Sequence, residues 1–206
     1  MNHSAARTNY NRMSRFYDLF AGTSERRFTG IGLQMLAAWP GENVLEIGFG
    51  TGHSLVALMR SVGVSGKVTG VDISEGMLRM AQSRIKKAGL AAQVDLRLGD
   101  AASLPFDADD FDAIFASFTL ELFAPSEIPI VLKECCRVLR PEGRIGVVAL
   151  AKTDGVAVRL YEWAHAKFPN FIDCRPIFVR QVIEEAGFRI TTVSYTHLTL
   201  PTIYSV

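Results

Sequence analysis

Cysteine is scarce in this sequence, and the cysteines present are poorly spaced for cross-linking or metal binding. There are three among 206 residues. Cys135 and Cys136 are adjacent on a predicted helix, where neighbouring side chains diverge, and Cys174 is distant in sequence. Neither a disulfide framework nor a zinc-ligand spacing can be built from them. We therefore expect no metal site, and a reducing cytoplasm as the compartment of the protein.

The sequence also lacks an excess of charge of either sign and any long hydrophobic run. Its 22 basic and 21 acidic residues give a net charge of +1, which provides no reason to expect a nucleic-acid partner. No apolar run approaches the roughly 20 residues of a membrane-spanning helix, and the first residues, MNHSAARTNYN, lack the apolar core of a signal peptide. We expect a soluble protein with at most peripheral membrane contact, and its oligomeric state stays open.

Glycine, in contrast, is concentrated in the stretch NVLEIGFGTG, residues 43–52. Its apolar first half is typical of a buried strand, and a helical pattern follows it. Between them, glycine occupies every second position: Gly48, Gly50 and Gly52. Such a loop can adopt positive φ and lets a ligand approach the backbone, while the next helix begins with unpaired amides. This stretch therefore predicts a nucleotide-like ligand.

Strand and helix patterns alternate after this loop. Apolar strands are predicted at 67–71, 94–98, 111–117 and 144–150, with helical patterns between them. Repeated βαβ units predict an α/β, Rossmann-like doubly wound fold with helices on both faces of a mostly parallel seven-stranded sheet, the last strand antiparallel if it forms, and a small helical cap. Four polar residues stand at predicted strand ends, where such folds bind ligands: Glu46, Asp72, Asp100 and Ser117.

Two common nucleotide-binding motifs do not fit the glycine loop. The dinucleotide fingerprint G-x-G-x-x-G, counted from Gly48, requires a third glycine where His53 stands. The P-loop requires a Gly-Lys-Ser/Thr sequence that does not follow the loop. We expect His53 to pack or face solvent rather than to act as a base.

Five short motifs occur in order over residues 43–143: E-x-G-x-G-x-G at 46–52, V-D-I-S at 71–74, G-D-A at 99–101, L-P-F at 104–106 and L-R-P-E-G at 139–143. Together they resemble the class I S-adenosylmethionine-dependent methyltransferases. Within that superfamily, the sequence is similar to the small-molecule group that includes the ubiquinone/menaquinone C-methyltransferases and the bacterial phospholipid N-methyltransferases. The resemblance implies S-adenosyl-L-methionine as the cofactor.

The resemblance also implies which residues hold that cofactor. Asp72 would accept both ribose hydroxyls, because a carboxylate can accept two charge-assisted hydrogen bonds. Asp100 and the backbone of Ala101 would bind the adenine ring, with Ile73 and Met77 as its apolar neighbours. The remaining cofactor-binding residues are the three loop glycines under the amino-acid end, Glu46 as an organiser of the loop, Ser117 after the fourth strand, and Tyr17, which would close over the cofactor.

Methyl transfer needs alignment of two substrates more than it needs a dedicated catalytic group. If a base is used, the candidates are Glu121 and His165, each equally consistent with a structural role. The quinone enzymes carry S-F-G-L-R-N where this chain has S-F-T-L-E-L, so Glu121 disfavours a quinone and favours an amine or a phospholipid head group. The acceptor is expected to be a small, mostly hydrophobic or lipid-like molecule, because the segments around its expected pocket are strongly apolar.

Two other functions stay open at this stage. One is a nicotinamide-dependent oxidoreductase, which the absent third glycine and the lack of a Tyr-x-x-x-Lys pair disfavour. The other is a non-catalytic cofactor-binding module of the same fold.

We expect one methyltransferase domain over residues 1–206. It would comprise an N-terminal helical cap at 1–40, a cofactor-binding core at 41–150, a cap insert at 151–176, and a C-terminal helix with edge strands at 177–206. Further helices are predicted at 9–20, 30–39, 154–168 and 175–186, and a strand at 188–193. The segment SYTHLTLPT resembles an adapter-derived tail, so residues 194–206 are a candidate non-native tail to which no function is assigned.

Overall fold

One β-sheet organises the chain in the computed structural model, which describes residues 24–150, 176–195 and 201–205. Its strands lie in the order β3-β2-β1-β4-β5-β7-β6. Neighbours among β1 to β5 are parallel, and β7 is antiparallel to both β5 and β6. The strands are β1 (Asn43–Ile47), β2 (Lys67–Asp72), β3 (Val94–Leu98), β4 (Phe111–Ser117), β5 (Leu139–Leu150), β6 (Thr192–Tyr195) and β7 (Pro201–Ser205).

Helices cover both faces of this sheet. The core on one face includes side chains of the first three helices and the core on the other includes those of the next two. The helices are α1 (Ser24–Leu36), α2 (His53–Val62), α3 (Glu75–Lys87), α4 (Ile128–Val138) and α5 (Val179–Glu185), with a 3₁₀ turn at Leu120–Leu122. The predicted α/β Rossmann-like fold, with a five-stranded parallel sheet between helices, is confirmed.

Strand β4 shows why the sequence patterns were continuously apolar. Ile114 and Ala116 belong to one core and Ala113 and Phe115 to the other, and all four are fully buried. Alternate side chains of a strand point to opposite faces, so where both faces are covered, as at residues 113–116, successive positions are apolar.

Helix α3 begins and ends where its sequence predicts. Ser74 Oγ accepts a hydrogen bond from the amide of Met77 at 3.3 Å, which caps the first turn. Gly89, with φ of 76°, follows the last turn, a position where glycine is favoured because it has no Cβ.

Several predicted boundaries are wrong. Helix α1 begins at Ser24 rather than residue 30, and Ala37, with φ of 49°, follows its end. Strand β5 begins at Leu139 rather than at residue 144. Its pairing with β4 shifts register between Leu139 and Arg144, where a turn before the strand was expected. Helix α5 spans Val179–Glu185 and is shorter than the predicted 175–186. Strand β6 spans Thr192–Tyr195 and lies later than the predicted 188–193. The helices predicted at 9–20 and 154–168 lie outside the described residues.

Arg144 holds the end of α1 against the sheet. Its guanidinium donates to the carbonyl oxygens of Leu36 at 2.7 Å and Ala37 at 2.7 Å, and to both carboxylate oxygens of Glu42 at 2.8 and 2.7 Å. This arrangement satisfies carbonyls that the helix end leaves without intrahelical donors. Across residues 24–150, 176–195 and 201–205, no helix has the length and apolar character needed to span a bilayer.

Candidate active site

A cavity of about 460 Å³ opens where the glycine loop and the carboxyl ends of β2 and β4 meet. Its walls come from the loop after β1, the end of β2, the loop after β3, the residues after β4, and α1. The sheet order reverses between β1 and β4, which is where open α/β sheets bind ligands. The volume lies within the range of about 300–1,000 Å³ typical of small-molecule sites.

Two of the loop glycines are required for different reasons. Gly48 has φ of 68°, and a Cβ there would lie 2.4 Å from Thr119 Oγ1, so tight packing excludes a side chain. Gly50 has φ of 50°, and within the described part of the chain a Cβ there would meet no atom within 4 Å. Gly50 lines the cavity, so its backbone is open to a ligand.

Asp72 ties the end of β2 to the glycine loop. Its Oδ2 accepts from the amide of Gly50 at 2.9 Å, and its Oδ1 accepts from the amide of Ser74 at 2.8 Å. Burial raises the pKa of Asp72 above its ordinary value of 3.8, although these amides oppose the increase. Because each carboxylate oxygen has two acceptor positions, Asp72 can hold the loop and still accept from a ligand.

Glu46 is buried beneath the loop, with only 1% of its surface exposed. The Ser54 hydroxyl donates to its Oε1, while its Oε2 has no hydrogen-bond partner among the described residues. Burial raises its pKa to about 8, and the negative charge of Asp72 contributes to the increase. An acceptor that is buried, unpartnered and at a cavity wall suits a cationic or hydrogen-donating ligand group.

The four residues predicted around an adenine ring lie together. Ile73, Met77, Asp100 and Ala101 all line the cavity, and Met77 and Ala101 are buried there. Asp100 Oδ1 accepts from the amide of Ala102 at 2.9 Å, which fixes the turn after β3. These residues therefore form an apolar wall with one carboxylate at its edge.

Ser117 links β4 to α1. Its hydroxyl lies 2.7 Å from Thr29 Oγ1, within hydrogen-bond distance. The next residue, Phe118, has φ of 52°, a conformation that is strained for a side chain of this size. Its amide donates to the carbonyl of Val148 at 2.7 Å, which helps to hold this geometry.

Several residues of this cavity were not predicted from the sequence, and Thr119, Thr29 and Glu25 are among them. Thr119 lies 3.2 Å from the carbonyl oxygen of Ile47 and packs under Gly48; its position two residues after a strand end could have indicated it. Thr29 and Glu25, both on α1, also line the cavity. No spacing signal identifies them, because their positions depend on how α1 packs.

Glu121, the candidate base, is buried and is not among the residues that line the cavity. Its Oε1 accepts from the amide of Leu150 at 3.2 Å. Burial raises its pKa to about 7, and the charge of Glu25 adds to this increase. Glu121 therefore lies behind the cavity wall and also supports the end of β5.

His53 lines the cavity at the start of α2. Its Nδ1 lies 3.2 Å from Arg84 Nη1. A guanidinium can only donate, so Nδ1 accepts, and a neutral His53 carries its proton on Nε2. The Nε of Arg84 also donates to the carbonyl of Thr51 at 2.7 Å, which fixes the loop end to α3.

Two predicted residues cannot be placed, because Tyr17 and His165 lie outside the described residues. As for metals, no group of three His, Cys, Asp or Glu side chains within the described ranges is arranged to hold an ion. Cys135 is buried and Cys136 is exposed, as expected for neighbours on a helix.

Comparison with known proteins identifies a matching domain and similar sequences. Residues 44–143 match the family described as a methyltransferase domain. Demethylmenaquinone methyltransferase of Lactobacillus johnsonii is 34% identical over 132 residues, covering 64% of this chain and 53% of the relative. Nocamycin O-methyltransferase of Saccharothrix syringae is 36% identical over 132 residues, covering 64% of this chain and 45% of the relative. The chain spans about half the length of these curated relatives.

The fold is shared with solved structures over almost the whole chain. A SAM-dependent methyltransferase from Aquifex aeolicus superposes with a TM-score of 0.71 at 23% identity, covering 95% of this chain and 96% of that one. At this identity the similarity concerns the fold. The matched region and the fold agree with the motifs: residues 44–143 of this chain match a methyltransferase domain, and the sequence is similar to quinone C-methyltransferases such as demethylmenaquinone methyltransferase.

Proposed function

We propose that the protein transfers a methyl group from S-adenosyl-L-methionine to a small, mostly hydrophobic acceptor. One observation carries the proposal: the open backbone at Gly50 and the carboxylates of Glu46, Asp72 and Asp100 line one cavity. S-adenosylmethionine presents an ammonium, two ribose hydroxyls and an adenine amino group, all of which are donors. A cavity with carboxylates at separate points matches such a ligand.

The proposed roles follow the donors of the cofactor. Asp72 accepts from the ribose hydroxyls, Asp100 from the adenine amino group, and Glu46 Oε2 from the ammonium, in addition to organising the loop. The apolar neighbours of the ring are Ile73 and Met77, with the backbone of Ala101 beside it. Gly48, Gly50 and Gly52 allow the backbone approach, and Ser117 and Tyr17 complete the proposed set.

The sulfonium of the bound cofactor supplies an already activated methyl carbon. The protein therefore has to align the acceptor and exclude water rather than activate the donor. Phe118, buried in a strained conformation between the cofactor residues and α1, is placed to shape that boundary. Glu121 and His165 are the candidates for a base that the sequence offers. Because Glu121 does not line the cavity, it would influence a reaction there through its charge rather than by taking a proton from the acceptor.

We assign to the acceptor the part of the cavity that includes Leu33, Phe118, Leu122 and Phe123, and call it the acceptor half. These four side chains are apolar, which supports an acceptor with a hydrophobic body. Relatives named for demethylmenaquinone and nocamycin methylation support a quinone-like ring or another lipid-like molecule, and an amine head group is the other candidate. We propose no nucleic-acid partner, because the chain has no excess of positive charge.

The organisation of the whole chain is also proposed. Residues 1–40 and 151–176 would cap the core, and the protein would act in the cytoplasm. We further propose a native sheet of seven strands, the last antiparallel; the pairing of Val148 with Ile203 supports this, although β7 lies in the segment that resembles an adapter-derived tail.

Calorimetric titration with S-adenosylhomocysteine, the demethylated product, tests the proposal. A dissociation constant in the micromolar range is expected, and no binding at high micromolar concentration by a folded sample would overturn it. Titration with reduced nicotinamide, followed by fluorescence, tests the oxidoreductase alternative. Incubation with labelled cofactor and a cell lipid extract tests the non-catalytic alternative, which predicts product binding without any labelled acceptor.

A further inference from the structure

The acceptor half of the cavity contains a carboxylate that the cofactor roles do not use. Glu25, in the first turn of α1, lines the cavity together with the apolar side chains of Leu33, Phe118 and Phe123. It is only partly exposed, and burial raises its pKa to about 6. Because a pKa of about 6 is still below neutral pH, Glu25 remains mostly ionised there despite its burial.

Among the described residues, no charged group near Glu25 forms an ion pair with it. Glu121 lies close enough that the charge of Glu25 contributes to raising its pKa. Glu127 lines the same cavity and accepts from the amide of Ala124 at 2.9 Å. Arg26 also lines the cavity but is exposed, where solvent screens its charge. No ion pair among the described residues involves Glu25 or Glu121.

From this arrangement we infer that Glu25 selects an acceptor that is an amine with an apolar body. The inference rests on the proposed function and narrows it, because a desolvated carboxylate beside apolar walls binds a cationic head group more strongly than a neutral one. A second carboxylate behind the wall, Glu121, adds to the negative potential.

The chemistry of N-methylation matches this charge. An ammonium acceptor first gives a proton to the Glu25 carboxylate, which leaves the neutral amine with a lone pair. That lone pair forms the new N–C bond while the C–S bond breaks with its electron pair going to sulfur. The positive charge thereby moves from the sulfur to the acceptor nitrogen. Once the proton has passed from Glu25 to solvent, the carboxylate stabilises the methylated cation.

Two matched probes test this without knowledge of the natural acceptor. Calorimetry with S-adenosylhomocysteine present would compare 4-phenylbutylamine with 4-phenyl-1-butanol, which has the same apolar body and a neutral head. The amine should bind at least about tenfold more tightly, as expected for one charge-assisted contact in a partly buried site. Glu25→Gln should reduce that preference to about twofold or less, and Glu75→Gln, a change on the exposed face of α3, should preserve it.

Each outcome separates this inference from the methyltransferase proposal. An alcohol that binds as tightly as the amine, or an amine preference that survives in Glu25→Gln, would overturn the inference. So would the failure of both probes to bind a protein that binds S-adenosylhomocysteine. Binding of the amine by a protein that does not bind S-adenosylhomocysteine, measured in its absence, would instead overturn the proposed function and leave the role of Glu25 standing. The wild-type comparison needs no variant, so it decides even if Glu25→Gln does not fold.

Discussion

The Asp72 carboxylate accepts a hydrogen bond from the backbone amide of Gly50, with 2.9 Å between Oδ2 and N. A residue at the end of β2 therefore holds the loop after β1 in its conformation. The two strands are neighbours in the sheet, although a helix separates them in the sequence. A single carboxylate thus joins the part of the cavity proposed for the ribose to the part proposed for the amino-acid end.

Replacing Asp72 by alanine should damage both binding and stability. The Gly50 and Ser74 amides would lose their acceptor, which costs about 1–3 kcal/mol of unfolding free energy. The dissociation constant for S-adenosylhomocysteine should rise at least about tenfold. Calorimetry and urea unfolding measure the two effects. Asp95→Ala is a suitable control, because Asp95 forms a partly exposed ion pair with Arg97 away from the cavity, and its loss should cost about 1 kcal/mol or less. Unchanged affinity in Asp72→Ala would contradict the proposed role.

Gly50→Ala should separate binding from stability. Gly50 and Gly89 both have positive φ, of 50° and 76°, and at neither would a Cβ meet a described atom within 4 Å. Alanine at either position should cost about 1 kcal/mol. Only Gly50 lines the cavity, so only Gly50→Ala should weaken S-adenosylhomocysteine binding, by about tenfold or more. Equal affinities of the two variants would show that the ligand does not contact this part of the loop.

Gly48→Ala should be more damaging to the fold than Gly89→Ala. A Cβ at Gly48 would lie 2.4 Å from Thr119 Oγ1, whereas one at Gly89 would contact no described atom within 4 Å. Both substitutions place a side chain at a positive φ, which is unfavourable at either site. The difference between their unfolding free energies therefore measures the steric clash, which we expect to be about 1–3 kcal/mol. Denaturant unfolding of the two variants measures it. A difference near zero would mean that Thr119 moves away freely.

Glu46 should make the protein less stable as the pH rises. Burial raises its folded pKa to about 8 from an ordinary value of 4.5. Between these two pH values the folded state holds a proton that the unfolded state releases. The contribution of Glu46 to the free energy of unfolding is therefore fully present below pH 4.5, and it is lost as the pH rises through about 8. In wild type the free energy of unfolding should decrease between pH 5 and 8, and in Glu46→Gln this decrease should be smaller by about 1 kcal/mol or more.

Urea unfolding of wild type and Glu46→Gln at pH 5, 6, 7 and 8 would measure this slope. The difference between the two proteins matters more than either slope alone, because Glu121 also has a raised pKa, of about 7, and contributes in the same direction. Parallel curves would mean that Glu46 is not the source of the dependence.

Arg144→Met should loosen the attachment of α1. The substitution keeps an unbranched apolar stem but removes the donors to Leu36, Ala37 and Glu42. We expect a loss of about 1.5–3 kcal/mol, or roughly 2–4 °C of Tm for each kcal/mol. Arg180→Met is the control, because Arg180 pairs with Glu184 on the exposed surface of α5. Similar melting temperatures for the two variants would contradict the role assigned to Arg144.

The sequence by itself determined the strand order along the chain, the glycine loop, the cap at Ser74 and the carboxylates at strand ends. These features depend on local chemistry: alternation of apolar runs, the positive φ that glycine allows, and the side-chain acceptor that a helix start requires. Because parallel strands end at the same edge of a sheet, residues as distant as Glu46 and Asp100 could be expected to lie in one site.

Only the tertiary structure decided what lies on the other side of the cavity. Glu25 and Thr29 reach the cavity because α1 packs over the end of β4. The C-terminal end of α1 is held by the hydrogen bond from Arg144 to the Leu36 carbonyl, between residues more than 100 positions apart. Glu121, plausible as a base from its place in the sequence, lies behind the wall because its carboxylate binds the Leu150 amide. Local patterns contain no information on such long-range packing. The residues proposed for the methyl donor could therefore be predicted from the sequence to lie together, whereas the approach of Glu25 and Thr29 to the cavity could not.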